Sequence, residues 1–358
     1  MTPSFKNVHN RFELNGHHYN FEDLMEVAYS YVKEGEPYQQ DLGNFLLDWL
    51  DEKDYVIAKT SGSTGKPKMI KIGKQQMVNS AIMTGDFFGV EPGNKMLHCL
   101  PSNFIAGKMM IVRALVLGLK LDLVQPSGLP LIDYDKNYDF CAMTPLQLTN
   151  FLDYTDNLKT IIVGGSRVSN ALVIKLQDVK PNVYETFGMT ETITHIAVKK
   201  LNNFESGDVS SSYFQVLPSI KISQDDRDCL VINAPRLSSE TILTNDIVKL
   251  HDENKFEWLG RFDNVINSGG IKLYPESIES KLRSKIDEQF FIASKEDDVL
   301  GNKVILVLEG DSNTLDKSVF EDLDKYEVPK EIYNVKKFPE TRSGKIHRKK
   351  TLELLNKS

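Results

Sequence analysis

Apolar positions along the chain recur at helical spacing over residues 21–33 and again over residues 42–50. They predict two helices that carry no nameable chemistry and pack against a larger unit. Residues 55–60 form a short apolar run with strand character that leads into a loop of Gly, Ser, Thr and Lys, and a helical pattern resumes over residues 74–88. This stretch reads as strand, polar loop, helix. Short apolar runs at residues 97–100, 119–124, 140–143 and 160–163 then alternate with helical stretches such as 105–117 and 170–178, which predicts an α/β layer architecture. Between Gly207 and Leu259 short runs punctuated by Asp, Asn and Gly predict β structure. Beyond Gly260 a small α+β unit begins: Pro275 opens a helix with Ile278, Leu282 and Ile286 on one face, and residues 304–308 form a strand. A boundary near Phe262 and Asp263 thus divides a large α/β domain with a β-rich part, residues 1–261, from a small α+β unit, residues 262–358. No internal repeat interrupts this organisation.

Composition narrows the class. A chain of 358 residues with 41% hydrophobic residues can bury a substantial core. Its formal charge of -7, from 43 basic and 50 acidic residues, argues against a general nucleic-acid binder. The average hides a basic end, since residues 336–358 hold eight Lys or Arg against two Glu. Cys99, Cys141 and Cys229 are isolated, without CxxC spacing, so neither a disulfide framework nor a zinc site is expected. No apolar run approaches the roughly 18 residues of a membrane span, and the N-terminus lacks a secretory apolar segment. A cytoplasmic location without membrane insertion is the expectation.

Candidate chemistry begins at Thr60-Ser61-Gly62-Ser63-Thr64-Gly65-Lys66-Pro67-Lys68. Glycines let backbone approach a phosphate, while hydroxyls and lysines supply donors and positive charge. A Walker A loop would need Gly where Thr60 stands and Ser or Thr where Pro67 stands, so that reading fails. Five further segments follow in order: Gly164-Gly165-Ser166; Tyr184-Glu185-Thr186-Phe187-Gly188-Met189-Thr190-Glu191; Thr244-Asn245-Asp246; the stretch from Gly260-Arg261-Phe262-Asp263 to Gly269-Gly270; and Pro339-Glu340-Thr341-Arg342-Ser343-Gly344-Lys345-Ile346. As bare strings, most of them are turns or helix starts.

Taken together and in this order, the segments resemble the motif set of the acyl-adenylate-forming superfamily, from about Tyr55 to the C-terminus. That superfamily contains acyl-CoA synthetases, peptide-synthetase adenylation domains and luciferases. The resemblance implies a large N-terminal AMP-binding domain and a small, mobile C-terminal domain. It also implies that ATP activates a carboxylate as an acyl-adenylate, which passes to a thiol such as coenzyme A. By the same resemblance, residues 60–68 hold phosphate; Thr190 contacts the α-phosphate; and Glu191 holds Mg²⁺, whose charge stabilises the phosphate oxygens as pyrophosphate leaves. Gly164, Gly165, Ser166, Tyr184 and Gly188 line the adenine and acyl pockets, and Asp246 and Arg261 bind the ribose. Asn245 replaces the family's Gly, and its tolerance of left-handed backbone is expected to preserve a turn there. Asp263 is the expected hinge, Gly269 and Gly270 flank the pantetheine arm of CoA, and Lys345 is a permanent cation that orients two anions. Its neighbours Arg348, Lys349 and Lys350 are expected to be solvated or near CoA phosphates.

Residues 100–107, followed by Arg113, resemble the corresponding segment of the o-succinylbenzoate–CoA ligases of menaquinone biosynthesis, and the short stretch before the phosphate loop is similar to the N-terminal truncation of that group. An arginine in an apolar helix must pair internally, snorkel to the surface or face a ligand, and a dicarboxylate needs a second anion site. His195 either lines the same pocket or is a satisfied structural histidine. Another small-acid–CoA ligase, an adenylation module loading a carrier protein, and a silent nucleotide-binding protein remain open as alternatives at this point.

Overall fold

The structure, a computed structural model, describes residues 3–59, 69–204, 213–310, 315–340 and 346–355. The phosphate-loop candidates Thr60 to Lys68 and the candidate Lys345 lie outside the described residues.

The first 50 residues are built into the main body. Strands β1 (Glu13–Leu14) and β2 (His17–His18) form a hairpin at one edge of the large sheet, with β1 parallel to residues 120–121 of the neighbouring strand. Helix α1 (Phe21–Glu34) starts at a capping box in which Asn20 accepts from the Glu22 and Asp23 amides, and α2 (Pro37–Leu50) opens on proline. Leu24 and Ala28 of α1 and Leu42, Phe45, Leu46 and Trp49 of α2 are buried in one core cluster. Strand β3 (Tyr55–Lys59) pairs antiparallel with β4 (Met69–Gly73), so Lys59 and Met69, on either side of the phosphate-loop segment, are backbone partners. A second strand therefore stands between the phosphate-loop residues and the helix. Met69 to Gly73 is too short for its alternation to stand apart from the polar run before it. The next residue, Lys74, opens α3 (Lys74–Phe88) fully buried, with its Nζ 2.7 Å from Asp51 Oδ1 and 3.0 Å from the Asp51 carbonyl. This ion pair ties the end of α2 to the start of α3.

Then come β5 (Lys95–His98), α4 (Ile105–Leu117), β6 (Lys120–Leu123), β7 (Tyr138–Met143), α5 (Pro145–Phe151), β8 (Leu158–Val163), α6 (Asn170–Leu176) and β9 (Asn182–Gly188), the α/β alternation predicted except that β6 runs to β7 without a helix. The strands pair in parallel, β6-β5-β7-β8-β9. Both sheet faces are covered: Met96, Phe140, Ala142 and Ile162 share a core with α3 and α4, while Leu97, Cys141, Met143, Ile161 and Val163 share one with α5 and α6. Near-continuous apolar strands follow from this double burial. The sheet continues antiparallel through β10 (His195–Lys200), β11 (Phe214–Val216), β12 (Lys221–Gln224), β13 (Cys229–Asn233), β14 (Ile242–Asp252) and β15 (Lys255–Arg261), for 13 strands in all.

A single helical turn, Phe262–Asn264, leads to the hairpin β16 (Ile266–Ser268) and β17 (Ile271–Leu273), helix α7 (Pro275–Leu282), a three-stranded sheet of β18 (Phe290–Asp297), β19 (Gly301–Glu309) and β20 (Glu331–Val335), and α8 (Arg348–Leu355). This part has its own apolar clusters, one around Ile278, Ile292 and Leu306, the other around Phe291, Ile305 and Phe338. Helix α7 stops at Leu282; Ile286 reaches the same core from the following turn, its amide bonded to the Leu282 carbonyl at 3.1 Å. Arg348 is not a solvated cation: it pairs with the buried Glu279 of α7 at 2.8 Å and anchors α8. Among the described residues, no helix is long and apolar enough to cross a membrane.

Candidate active site

The carboxyl ends of parallel strands open into a crevice where α/β proteins bind ligands. Here β8 ends at Val163 and runs into Gly164, Gly165 and Ser166, the latter two exposed. Strand β9 holds that loop from beside it: Thr186 Oγ1 donates to the Val163 carbonyl at 3.0 Å, and Glu185 Oε1 accepts from the Val168 amide at 3.0 Å while Oε2 pairs with Lys199 at 2.6 Å. Tyr184 lies further back in the strand, opposite Ile162, and its ring meets Phe88 edge-on at 5.1 Å. It therefore does not join the residues at the crevice mouth.

Gly188 ends β9 where a Cβ would overlap the Thr194 carbonyl and come within 2.6 Å of His195 Cα, so only glycine allows β10 to return this closely. Between them Thr190 and Glu191 sit on a short turn, Thr190–Thr192. The Thr192 hydroxyl, fully buried, organises it: Oγ1 accepts from the Met189 amide at 3.0 Å and lies 3.0 Å from the Met189 carbonyl and 2.8 Å from the Thr194 carbonyl. The next residue, Ile193, has φ 68 and ψ -54, with the Thr194 amide 2.7 Å from the Thr192 carbonyl. That is a γ-turn of the strained, positive-φ kind, costly for a β-branched residue and held by burial of the Ile193 side chain. It leaves Glu191 exposed, with no partner among the described residues. A single carboxylate of this kind fits Mg²⁺, which is commonly held by one or two carboxylates together with substrate phosphates.

Asp246 and Arg261 are directly opposite in β14 and β15. Asp246 is buried, and Arg261 Nη1 lies 3.3 Å from Oδ2 and 3.4 Å from Oδ1. The pair forms within one sheet and does not bridge the two parts of the chain. Asn245, expected in a turn, lies inside the 11-residue strand β14 and has no positive φ. Its side chain links two loops instead, accepting from Arg227 at 3.0 Å and donating to Asp263 at 3.4 Å. Asp263 itself is exposed in the connecting turn. Gly269 and Gly270, φ 56 and 82, are the two-residue turn between partners Ser268 and Ile271, a type I′ hairpin. The flanks of the Lys345 segment are joined by a bridge from Glu340 to Ile346 and by the His347 amide on the Pro339 carbonyl at 2.7 Å.

Arg113 is 2% exposed within α4, which excludes a snorkelling side chain. Its Nη2 lies 3.4 Å from Thr194 Oγ1 and its Nη1 3.5 Å from Met110 Sδ, its Nε has no hydrogen-bond partner, and no carboxylate pairs with it among the described residues. Burial pushes the guanidinium pKa down to about 9. His195 is also buried, and desolvation, then the nearby Arg113, holds its pKa well below the usual range, so the ring is neutral. Its Nδ1 is 3.3 Å from Thr194 Oγ1 and its Nε2 3.4 Å from Thr84 Oγ1, which itself donates to the Ser80 carbonyl at 3.0 Å. One proton arrangement satisfies the chain. Arg113 donates to Thr194, Thr194 to His195 Nδ1, the Nε2–H to Thr84, and Thr84 to Ser80. Two readings of His195 thus meet, a satisfied histidine beside the candidate anion site. Thr84, Thr192 and Thr194 escaped the sequence reading because lone hydroxyls in a helix or a turn give no spacing signal, and Ser80 because it takes part through its backbone carbonyl.

Comparison with known proteins identifies the relatives of the chain. Residues 22–229, more than half of the chain, match the family model described as AMP-binding enzyme. The 2-succinylbenzoate–CoA ligase of Lactococcus lactis is 27% identical over 325 residues, covering 84% of this chain and 71% of the relative. An acyl-CoA synthetase (AMP-forming)/AMP-acid ligase II-like protein from Dyadobacter fermentans is 35% identical, with a TM-score of 0.62 over 92% of this chain and 98% of that one. The fold is also that of o-succinylbenzoate CoA synthetase from Bacillus subtilis in complex with the acyl-adenylate OSB-AMP, at 17% identity and a TM-score of 0.76 over 96% of this chain and 95% of that one. The chain belongs to the AMP-binding enzyme family.

Proposed function

We propose that this chain is an ATP-dependent acid–CoA ligase that converts o-succinylbenzoate first to its acyl-adenylate and then to its CoA thioester, in the cytoplasm. The observation that carries the choice of acid is Arg113, a buried guanidinium with an unused Nε and no counter-ion among the described residues. A desolvated cation of this kind is costly unless a ligand supplies the anion, and a dicarboxylate brings one carboxylate to react and a second to pair. The names of the curated relatives point the same way.

In this reading Asp246 accepts from the ribose hydroxyls, with Arg261 beside it, and the exposed turn at Gly164, Gly165 and Ser166 borders the adenine. Thr190 donates to the α-phosphate. Mg²⁺, on the Glu191 carboxylate and the phosphates of ATP, would offset charge as pyrophosphate leaves. Hydroxyls, amides and lysines of residues 60–68 hold the phosphates, and Lys345 draws the substrate carboxylate and the α-phosphate together by charge rather than by proton transfer. The division of the chain into residues 1–261 and 262–358, with Asp263 as hinge, lets Lys345 leave after adenylation and the Gly269-Gly270 hairpin approach the pantetheine arm of CoA.

The test is substrate profiling of purified protein with ATP, Mg²⁺ and CoA. Thioester formation with o-succinylbenzoate well above that with benzoate or succinate is expected. Equal use of monocarboxylates would overturn the choice of acid, product only with a holo-carrier protein would overturn CoA as acceptor, and absence of acid-dependent pyrophosphate release would overturn the ligase reading.

A further inference from the structure

Trp258 belongs to none of the motifs, yet it is the firmest contact of the carboxylate read as the ribose site. In the pairing of β14 with β15, Asp246 faces Arg261, Ile247 faces Gly260, and Val248 faces Trp258. Leu259 is therefore an extra residue, a β-bulge. A regular ladder would put Trp258 and Arg261, three positions apart, on opposite faces, and the bulge returns both to the face of Asp246. The indole Nε1–H then donates to Asp246 Oδ1 at 2.9 Å. The contacts from Arg261 are longer, at 3.3 and 3.4 Å, and its side chain is 45% exposed. Water competes for an exposed arginine far more than for a half-buried indole. On the ring's face sits the Arg167 guanidinium, 5.3 Å from a ring centroid, and Arg167 Nη1 donates at 2.9 Å to the carbonyl of Glu276 in α7. Arg167 directly follows the Gly164-Gly165-Ser166 turn.

We infer that Trp258 is a positioning residue for the nucleotide: its indole N–H fixes the carboxylate of Asp246 so that Oδ2 stays available to the ribose, and its face links that carboxylate through Arg167 to the docking of α7. The inference rests on the assignment of Asp246 to the ribose hydroxyls. A carboxylate with one oxygen committed to a fixed donor has fewer rotamers to lose on binding, and the orientation of the C-terminal part is then felt at the ribose.

The test compares ATP with 2′,3′-dideoxy-ATP, by KM and kcat for acid-dependent pyrophosphate release and by equilibrium titration. Trp258→Phe keeps an aromatic face and removes the donor. It is expected to raise the KM for ATP about tenfold with kcat within about twofold, and to cost the dideoxy analogue under about twofold, because the loss acts through the hydroxyls. Trp258→His, with a ring N–H, should recover part of the preference for ATP. Arg167→Met, which cuts the tether to Glu276, should lower that preference by a smaller factor in the same direction. Asp246→Ala is the control: if it leaves the preference intact, the ribose assignment falls and this inference with it. If Asp246→Ala abolishes the preference while Trp258→Phe preserves it, or weakens both nucleotides equally, the ribose assignment stands and the role of Trp258 is refuted. An unchanged preference in Arg167→Met would overturn the link to α7.

Discussion

Replacing Arg113 by leucine tests the substrate assignment from two directions at once. In the free protein the guanidinium is buried, contacts only Thr194 Oγ1 and Met110 Sδ among the described residues through its terminal nitrogens, and has its pKa depressed to about 9 because burial disfavours the charged form. The charge therefore costs folding free energy. Exchange of such a group for an apolar one of similar volume is expected to stabilise the free protein by about 1–4 kcal/mol, read from urea unfolding at neutral pH. With the dicarboxylate bound, the same substitution leaves a desolvated carboxylate unpaired, a loss of about 3–5 kcal/mol. At about 1.4 kcal/mol per tenfold, kcat/KM for o-succinylbenzoate should fall by roughly two to three and a half powers of ten. ATP binding should not change, since Asp246 and Glu191 lie on other strands and turns. A monocarboxylic analogue should lose little. A variant that is less stable and equally impaired on mono- and dicarboxylates would refute the reasoning and make Arg113 a structural arginine.

Thr192→Val keeps the shape of the buried side chain but orphans the Met189 amide, so it should cost about 1–3 kcal/mol of stability and raise the Mg²⁺ concentration for half-maximal adenylation, with Thr192→Ser restoring both; unchanged Mg²⁺ dependence would separate the turn from the metal. His98 is fully buried and its pKa is pushed by burial from 6.5 to about 4, so it is neutral when folded and binds a proton more readily when unfolded. Its contribution is present above pH 6.5 and is lost as pH falls towards about 4, a loss of about 2 kcal/mol by pH 5, and unfolding of His98→Gln against pH should show a correspondingly shallower acid limb. Lys345→Ala should lower adenylate formation about a hundredfold while supplied acyl-adenylate still yields thioester; equal loss in both half-reactions would remove Lys345 from its adenylation role.

The sequence made the α/β alternation legible because doubly buried parallel strands are both apolar and short, and helices separate most of them. The crevice candidates stood out for a different reason, the ordered motifs they share with the acyl-adenylate-forming superfamily, and their phosphate, ribose and metal roles belong to the proposed function. Neither signal reaches residues whose role depends on strand register. Trp258 sits on the face of Asp246 only because Leu259 bulges out, and nothing in a run such as Phe256 to Gly260 announces an inserted residue. Asn245 misled for the same cause, since a tripeptide rich in turn formers lies here within a long strand whose side-chain contacts occupy the polar groups. The basic tail misled through composition: Arg348, itself partly exposed, pairs with the buried Glu279, and charge runs do not reveal which member is packed.

The contacts between the two parts of the chain bear on how a hinge at Asp263 could work. Arg167 and Asn170 donate to carbonyls of α7, at 2.9 Å on Glu276 and 2.6 Å on Ser280, and Lys272 meets Asp228 at 3.6 Å with both side chains more than half exposed. The apolar clusters around Ile278 and Phe291 stay within the C-terminal part, and those of the large sheet stay within their own. Polar contacts of this kind exchange for water at small net cost, about 1 kcal/mol each, whereas a shared apolar core would oppose separation at about 25 cal/mol for every Å² exposed. Docking made of donors on backbone carbonyls is therefore specific in geometry and weak in free energy. The proposed alternation, with Lys345 serving one half-reaction and the Gly269-Gly270 hairpin the next, would need that combination, because an orientation too stable would slow the second step as surely as one too loose would spoil the first.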